Sequence, residues 1–168
     1  MEKLNSIVEA ATHNFGEAIE AVEKPYDDVV LTVSRKRSHD VLSFLRDEGF
    51  DMLLDVAGVD NLHRGGRERF EVVYILLAVK DCVRIRIRVF VPEDDMDIAS
   101  VTDLWQSANW GEREAFDMFG FNFVGHPNLE RILCHREFVG HALRKDYPVM
   151  KGQWATGTSD LKPDLERE

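Results

Sequence analysis

The pattern of apolar and polar residues in the first fifty positions predicts a helix, a strand and a second helix. The first fifteen residues carry one apolar face at helical spacing, and Gly16 is expected to end that helix. The face consists of Leu4, Ile7, Val8, Ala11 and Phe15. β-Branched residues then predict a strand over 27–34, after a hairpin around Pro25. Apolar positions return to helical spacing over 35–49, where Gly49 is expected to end the second helix.

Three further segments have the composition of β-strands. They cover 51–59, 70–79 and 82–91, and the tight turn at 80–81 indicates that the last two form an antiparallel hairpin. An acidic loop follows, and 98–104 is then expected to form a short helical turn.

The third of these strands has a basic face. Arg84, Arg86 and Arg88 alternate with aliphatic residues, so the arginines share one face and the aliphatic side chains point to the core. Pairing with Glu71 on the neighbouring strand, or plain solvation, is the expected role of this face. An acidic partner is the alternative.

The stretch NWGEREAFDMFG, which begins at Asn109, has the signals of a short helix. Asn109 is expected to cap it, and Glu112 is placed to complete a capping box. Arg113 and Asp117 are four residues apart and can form an ion pair on one face. Gly120 is expected to end the helix in the left-handed conformation.

This helix and the turn after it carry more aromatic surface than so short a segment needs for its own packing. The aromatic residues are Trp110, Phe116, Phe119, Phe121 and Phe123. Much of this surface is therefore expected to pack on the sheet or on a partner protein.

Composition limits the possible functions. The 168 residues suit one domain, and 31 acidic against 21 basic residues give a net charge of −10. This charge repels phosphate backbones and anionic lipids, so nucleic acid is not expected as a partner. The longest apolar run, 72–79, is far shorter than the roughly 20 residues of a membrane span. The first residues do not resemble a signal peptide.

Neither a catalytic centre nor a metal site is indicated. Glu112, Glu114 and Asp117 could form an acid–base group near a histidine, but residues 112 and 114 point to different sides of a helix. Cys82 and Cys134 form no C-x-x-C pair, which excludes a zinc ribbon and an iron–sulfur run. A metal site would have to combine Cys134 with histidines, and no closely spaced ligand pair anchors that set. The histidines are His126, His135 and His141.

Three motifs near the end of the chain occur in a fixed order. They are EREAFDMFG (112–120), F-x-GHP-x-L-x-RIL (123–133) and GHALRKDYP (140–148). With LLDVAGVD and FEVVYILL upstream, they resemble the thirty-kilodalton subunit family of NADH:quinone oxidoreductase, respiratory complex I, whose bacterial members are designated C. The resemblance extends over about 15–148. Phe138 and Ala142 depart from the tryptophan and proline usual in the family, which affects local docking detail rather than membership.

The resemblance implies a two-layer α+β domain, with helices packed on a mixed, mostly antiparallel five-stranded sheet. The predicted order of helix, two strands, helix and three strands agrees with that fold. The domain is expected to cover 1–148. Residues 149–168 are rich in glycine, proline and charge, and they are expected to form an extended tail that binds a partner or stays flexible.

The resemblance also implies a structural and assembly role in the peripheral arm of a proton-pumping oxidoreductase, in which other subunits transfer electrons from NADH to quinone. The expected neighbours are the large hydrogenase-like subunit, designated D, and two iron–sulfur subunits, designated B and I. FMN and iron–sulfur clusters are expected in neighbouring subunits, and this chain is expected to bind no cofactor and to be non-catalytic. The expected location is the cytoplasmic side of the bacterial inner membrane.

Motif position and side-chain character suggest which residues form or support the partner contacts. The charged and polar ones are Glu112, Arg113, Asp117, His126, Arg131, Arg144, Lys145 and Asp146, and the apolar anchors are Phe119, Phe121 and Phe123. One alternative is the equivalent subunit of a membrane-bound hydrogenase or of a ferredoxin- or F420-dependent dehydrogenase. A second alternative, of another class, is a free-standing metal or thiol enzyme that uses Cys134 and His126.

Overall fold

The computed structural model of the chain describes residues 2–26, 28–65 and 67–149. Apart from Val149, the predicted tail at 149–168 therefore lies outside the described residues. No helix in the described ranges is long and apolar enough to cross a membrane.

Three helices and seven strands form the described part of the chain. In chain order they are α1 (Glu2–Phe15), β1 (Ile19–Glu23), β2 (Val30–Val33), a 3₁₀ turn (Arg35–Arg37), α2 (Ser38–Asp47), β3 (Met52–Asp60), β4 (Phe70–Ala78), β5 (Val83–Val91), β6 (Asp97–Ala99), α3 (Ala108–Phe119) and β7 (Asn122–Val124). Helices α1 and α2, strand β2 and the three long strands β3, β4 and β5 confirm the predictions from the hydrophobic pattern. Strand β1 forms the first half of the hairpin predicted around Pro25.

Five strands form one mixed sheet in the order β1-β2-β5-β4-β3. The β1–β2 and β4–β5 pairs are antiparallel hairpins, as predicted, and β3 pairs antiparallel with β4. Only β2 and β5 run parallel within this sheet. This confirms the two-layer α+β fold with a mostly antiparallel five-stranded sheet.

One face of the sheet carries the hydrophobic core. Alternate residues of β4 and β5 are fully buried there, and apolar residues from α1, α2 and α3 join the same core cluster. The arginines of β5 lie on the other face, as predicted. Arg88 lies 3.4 Å from Glu71, while Arg84 and Arg86 both pair with Asp28. The expected pairing with Glu71 is therefore confirmed for one of the three arginines.

The prediction of a helical turn over 98–104 is wrong at its start. Residues Asp97–Ala99 form β6, which pairs parallel with β7 and sets Ile98 beside Phe123. Both side chains are buried, so the strand contacts the core through Ile98. Only the chain after Val101 turns, where the amides of Leu104 and Trp105 both donate to the Val101 carbonyl.

Candidate functional site

Helix α3 begins two residues earlier than predicted, at Ala108, and its first turn differs from the expected capping box. Ser107 occupies the capping position, but its hydroxyl donates to the Leu53 carbonyl at 3.2 Å instead of capping the helix, and Asn109 lies inside the helix. The cap assigned to Asn109 and Glu112 is therefore wrong. Gly120 ends the helix in the left-handed conformation, with φ of 89°, as predicted.

Glu112 points into the core instead of capping the helix. Its carboxylate is fully buried and accepts hydrogen bonds from the Ser100 hydroxyl at 2.6 Å and the Val101 amide at 2.7 Å. These bonds tie the chain after β6 to α3. Burial raises the pKa of Glu112 to about 7, although the bonds from Ser100 and Val101 favour the charged form.

The raised pKa of Glu112 predicts a measurable pH dependence of stability. Because its folded pKa of about 7 exceeds the ordinary value of 4.5, the folded chain loses stability as pH rises between these values. The loss approaches about 3 kcal/mol above pH 7, at about 1.4 kcal/mol for each pKa unit. Glu112→Gln should therefore flatten the unfolding free energy between pH 5 and pH 8, measured by urea denaturation.

The exposed Glu114 on the same helix provides the control, since Glu114→Gln should keep the wild-type profile. If the unfolding free energy of Glu112→Gln changed as steeply between pH 5 and pH 8 as that of the wild type, Glu112 would not be the titrating group.

Asp117 holds the loop that follows β7. One carboxylate oxygen accepts the backbone amides of Ile132, Leu133 and Cys134 at 2.8–3.1 Å, and the other accepts Arg131 at 2.7 Å. Burial alone would raise the pKa of Asp117, but the amide bonds and the guanidinium lower it below its ordinary value.

The predicted Arg113–Asp117 ion pair is wrong. Arg113 instead donates to the carbonyl of Glu130 at 3.0 Å and lies over the Trp110 ring. Asp117 faces inward from α3, where three amides and Arg131 offer more hydrogen bonds than one exposed arginine could.

Further bonds attach residues 125–149, hereafter the braced segment, to the end of α3. The Leu143 amide donates to the Met118 carbonyl, His141 to the Asp117 carbonyl and Arg144 to the Phe119 carbonyl at 2.6 Å. These bonds satisfy carbonyls at the helix end. Gly120 has a φ of 89°, which other residues rarely adopt, and a Cβ there would lie 2.6 Å from the His141 ring and 2.7 Å from the Arg144 guanidinium, so both side chains would have to shift.

A second buried carboxylate attaches the end of the braced segment. Asp60, at the end of β3, accepts the Lys145 amide at 2.8 Å and the Arg69 guanidinium at 3.1 Å. Arg69 also pairs with Asp146 at 2.8 Å. The sequence reasoning missed Asp60 and Arg69. Asp60 lies in the LLDVAGVD motif, but the motif alone does not reveal a partner 85 residues away.

The phenylalanines expected as partner anchors lie inside the chain's own core. Phe121 and Phe123 are buried, and Phe119 is 9% exposed. Phe121 packs edge-on against Phe70 and lies within 6.3 Å of Phe119 and Phe123 between ring centroids. The aromatic surplus therefore packs largely on this chain rather than forming an exposed ridge. Trp110 is the exception, because it is 66% exposed.

The outer surface of the braced segment is apolar at several positions. Leu133 is 62%, Val139 69% and Leu143 50% exposed, and Lys145 and Asp146 are exposed beside them in sequence. The segment has no regular secondary structure after Val124 in the described range. Its conformation thus depends on the buried bonds to Asp117, Asp60 and the α3 carbonyls.

The four residues of the suspected metal set have separate surroundings. His126 contacts the Asn109 carbonyl at 3.3 Å and accepts the Asn128 amide at 3.0 Å. His141 donates to Asp117, and His135 packs edge-on against Phe138. Burial lowers the pKa of His126 and His141 and raises that of the Cys134 thiol. Among the described residues, no group of His, Cys, Asp and Glu is arranged to hold a metal ion.

A comparison with known protein families matches most of the chain, including the braced segment, to one family. Residues 31–153 match the family described as respiratory-chain NADH dehydrogenase, 30 Kd subunit. The chain belongs to this 30 kDa subunit family. The match runs from β2 to beyond the braced segment, so it includes both Asp60 and Asp117.

Individual members of the 30 kDa subunit family agree. The NADH-quinone oxidoreductase subunit designated C in Citrifermentans bemidjiense is 43% identical over 150 residues, which are 89% of this chain and 92% of that protein. The corresponding subunit of Ralstonia pickettii is 38% identical over 156 residues, which are 88% and 78% of the two chains.

Two solved structures share the fold. A trypsin-resistant fragment of Nqo5 superposes with a TM-score of 0.69 at 35% identity and covers 76% of this chain and 99% of the fragment. A chain from the membrane-bound sulfane sulfur reductase, an archaeal respiratory membrane complex, superposes with a TM-score of 0.75 at 24% identity, covering 88% and 87%. The second likeness concerns the fold alone.

Proposed function

We propose that this chain is a structural and assembly subunit of the peripheral arm of a proton-pumping NADH:quinone oxidoreductase. It supports the quinone-reducing module while other subunits transfer electrons from NADH to quinone. Membership of the 30 kDa subunit family of such complexes supports this role. The observation that carries it is the braced segment, an irregular loop that buried carboxylates hold in one conformation with apolar side chains outward.

The polar groups of the family motif support a non-catalytic role for this chain. Glu112 binds Ser100 and Val101, and Asp117 binds Arg131 and three amides. His126 is held between two backbone groups. Side chains whose polar atoms are bonded in this way hold the chain in its conformation. The complex as a whole performs the redox chemistry, and the FMN and iron–sulfur clusters belong to other subunits.

The partners in this proposal are the large hydrogenase-like subunit, designated D, and the iron–sulfur subunits designated B and I, at the cytoplasmic side of the bacterial inner membrane. Of the residues predicted at the interface, Arg113, His126, Arg144, Lys145 and Asp146 keep some exposed surface. Glu112, Asp117 and the three phenylalanines support the surface from inside. Arg131 does the same through Asp117 and the Gly140 carbonyl.

Purification of the tagged chain from its native cells tests the function directly. Mass spectrometry of the co-purified proteins should find the flavin, iron–sulfur and membrane subunits of NADH:quinone oxidoreductase. Recovery of a hydrogenase large subunit, or of a ferredoxin- or F420-dependent module, would replace the proposal with the alternative. The shared fold of the sulfane sulfur reductase chain does not distinguish these complexes.

Charge placed on the braced segment should prevent docking. Leu133→Asp and Val139→Asp are each expected to reduce co-purification with the other subunits by about tenfold or more, because exposed apolar anchors carry much of an interface's binding energy. Their native surface exposure should leave the melting temperature of the free chain nearly unchanged.

Val22→Asp is the matched control for the docking variants, since Val22 is an exposed valine on β1, the opposite edge strand of the sheet from β3. Equal recovery of the complex with all three variants would show that the braced segment is not the docking surface.

A further inference from the structure

The face of the sheet opposite the helices has an ordered arrangement of side chains. Val73, Ile75 and Leu77 of β4, an inner strand between β5 and β3, all point to this face, at alternate positions. The register sets them directly beside Arg88, Arg86 and Arg84 of β5, in that order. On the other side of β4, the β3 residues Ala57, Asp55 and Met52 lie beside Val73, Ile75 and Leu77, in that order.

The column of side chains that β4 contributes to this face is aliphatic, although it lies outside the core. An antiparallel sheet with one solvated face usually alternates apolar residues inside with polar residues outside. Here both sets of β4 positions are apolar from Val72 to Leu77, and Val73, Ile75 and Leu77 are only half-buried. The core residues of all three described helices belong to the cluster on the other face. The column Val73–Ile75–Leu77 is thus uncovered within the described part of the chain.

A basic column borders the aliphatic one. Arg84 and Arg86 share a single carboxylate, Asp28, at 3.0 and 2.7 Å, so two guanidinium groups face one acid. Their side chains are 48% and 39% exposed, and the Nε of Arg86 has no hydrogen-bond partner among the described residues. This local excess of positive charge occurs in a chain with a net charge of −10.

We propose that this face is a second docking surface, distinct from the braced segment, which binds an amphipathic helix of another subunit. The helix places an apolar stripe on Val73, Ile75 and Leu77 and acidic residues against Arg84 and Arg86. The inference rests on the proposed function, which supplies a complex with neighbouring subunits. It adds a second contact on the opposite side of the sheet from α3.

Dimensions and charge define the helix. Val73 to Leu77 spans about 14 Å of strand, at about 3.4 Å per residue, which two to three helical turns cover. Acidic residues are favoured on the β5 side by Arg84 and Arg86, and they are disfavoured on the β3 side by the exposed Asp55. The charges on the two sides of the column therefore determine which flank of the helix faces β5.

Cysteine labelling measures directly whether this face is covered. Ile75→Cys would be introduced into a Cys82→Ser chain, which removes the exposed native thiol. Maleimide labelling would then be compared between the free chain and the assembled oxidoreductase, with the Cys82→Ser parent correcting for Cys134. We expect labelling of residue 75 to be at least about tenfold slower in the complex, because a packed helix excludes the reagent.

Charge variants test the chemistry of the partner. Arg84→Glu combined with Arg86→Glu should lower recovery of the complex severalfold, whereas Arg84→Lys with Arg86→Lys should retain most of it. The circular dichroism and melting temperature of each free variant separate docking from folding. Val22→Cys in the same Cys82→Ser background is the comparison site on β1.

The outcomes distinguish this inference from the function on which it rests. If wild-type chain does not co-purify with NADH:quinone oxidoreductase subunits, both fail. If residue 75 labels equally fast in the free chain and in the recovered complex, only the second docking surface fails. A dimer of the free chain that protects residue 75 and disappears in Arg86→Glu would assign the face to a second copy and would also overturn it.

Discussion

Asp117→Asn is expected to lower the free energy of unfolding by about 3–5 kcal/mol, the usual cost of removing one partner of a buried ion pair. Asparagine has nearly the shape of aspartate, but its NH₂ group would face backbone amides that already donate, and Arg131 would lose its counter-charge. Urea denaturation of the free chain at pH 7 measures the loss. The exposed Asp94, changed to Asn, is the control and should alter stability by less than about 0.5 kcal/mol.

The same variant has a pH signature. Because the folded pKa of Asp117 is lowered, its stabilisation is fully present above its unfolded pKa and is lost as pH falls through the folded value. The stability gap between wild type and Asp117→Asn should therefore narrow at acidic pH.

Release of the braced segment provides a second measurement for Asp117→Asn. Trypsin should cleave after the exposed Arg136 sooner in this variant than in wild type. Unchanged stability together with unchanged cleavage would show that Asp117 does not hold the segment.

Phe121→Ala is expected to destabilise the free chain by about 3–5 kcal/mol, since it removes a fully buried ring from an aromatic cluster. A residue that only anchored a partner would leave the free chain's melting temperature unchanged, so this variant separates core packing from docking. Thermal unfolding monitored by circular dichroism measures the effect. Val124→Ala on the nearby strand β7 is the control, because Val124 is exposed and its truncation should cost far less.

The sequence predicts best the elements that bury one face and expose the other, because their apolar residues then recur at the period of a helix or a strand. The alternation of arginine and aliphatic residues in β5 identifies both its type and its two faces, because the buried and exposed sets differ completely. Strand β6 is missed because it has only three residues, and its single core contact, Ile98, also fits a helical spacing. Short elements carry too few positions to distinguish the two periods.

The roles within the candidate site could not be predicted from local spacing. Glu112 and Asp117 occupy positions where helix rules supply nearby partners, namely the first turn and Arg113. Each side chain instead faces inward and binds groups that are 11 to 17 residues away in sequence. A buried carboxylate is stable only with several donors, and a folded loop supplies them where a helix surface does not. The motif thus predicted the region of the candidate site correctly, but the contacts predicted for Glu112 and Asp117 were wrong.

The parallel pairing of β2 with β5 has a kinetic consequence. Val30 lies beside Arg86, so this contact closes a loop of more than fifty residues that contains α2, β3 and β4. The β4–β5 hairpin can form from neighbouring residues, whereas the β1–β2 hairpin has no sheet to join until β5 has been synthesised. During translation, the N-terminal quarter of the domain therefore cannot join the sheet before β5 has left the ribosome. Until then the edge of the apolar strand β2 that pairs with β5 stays unpaired.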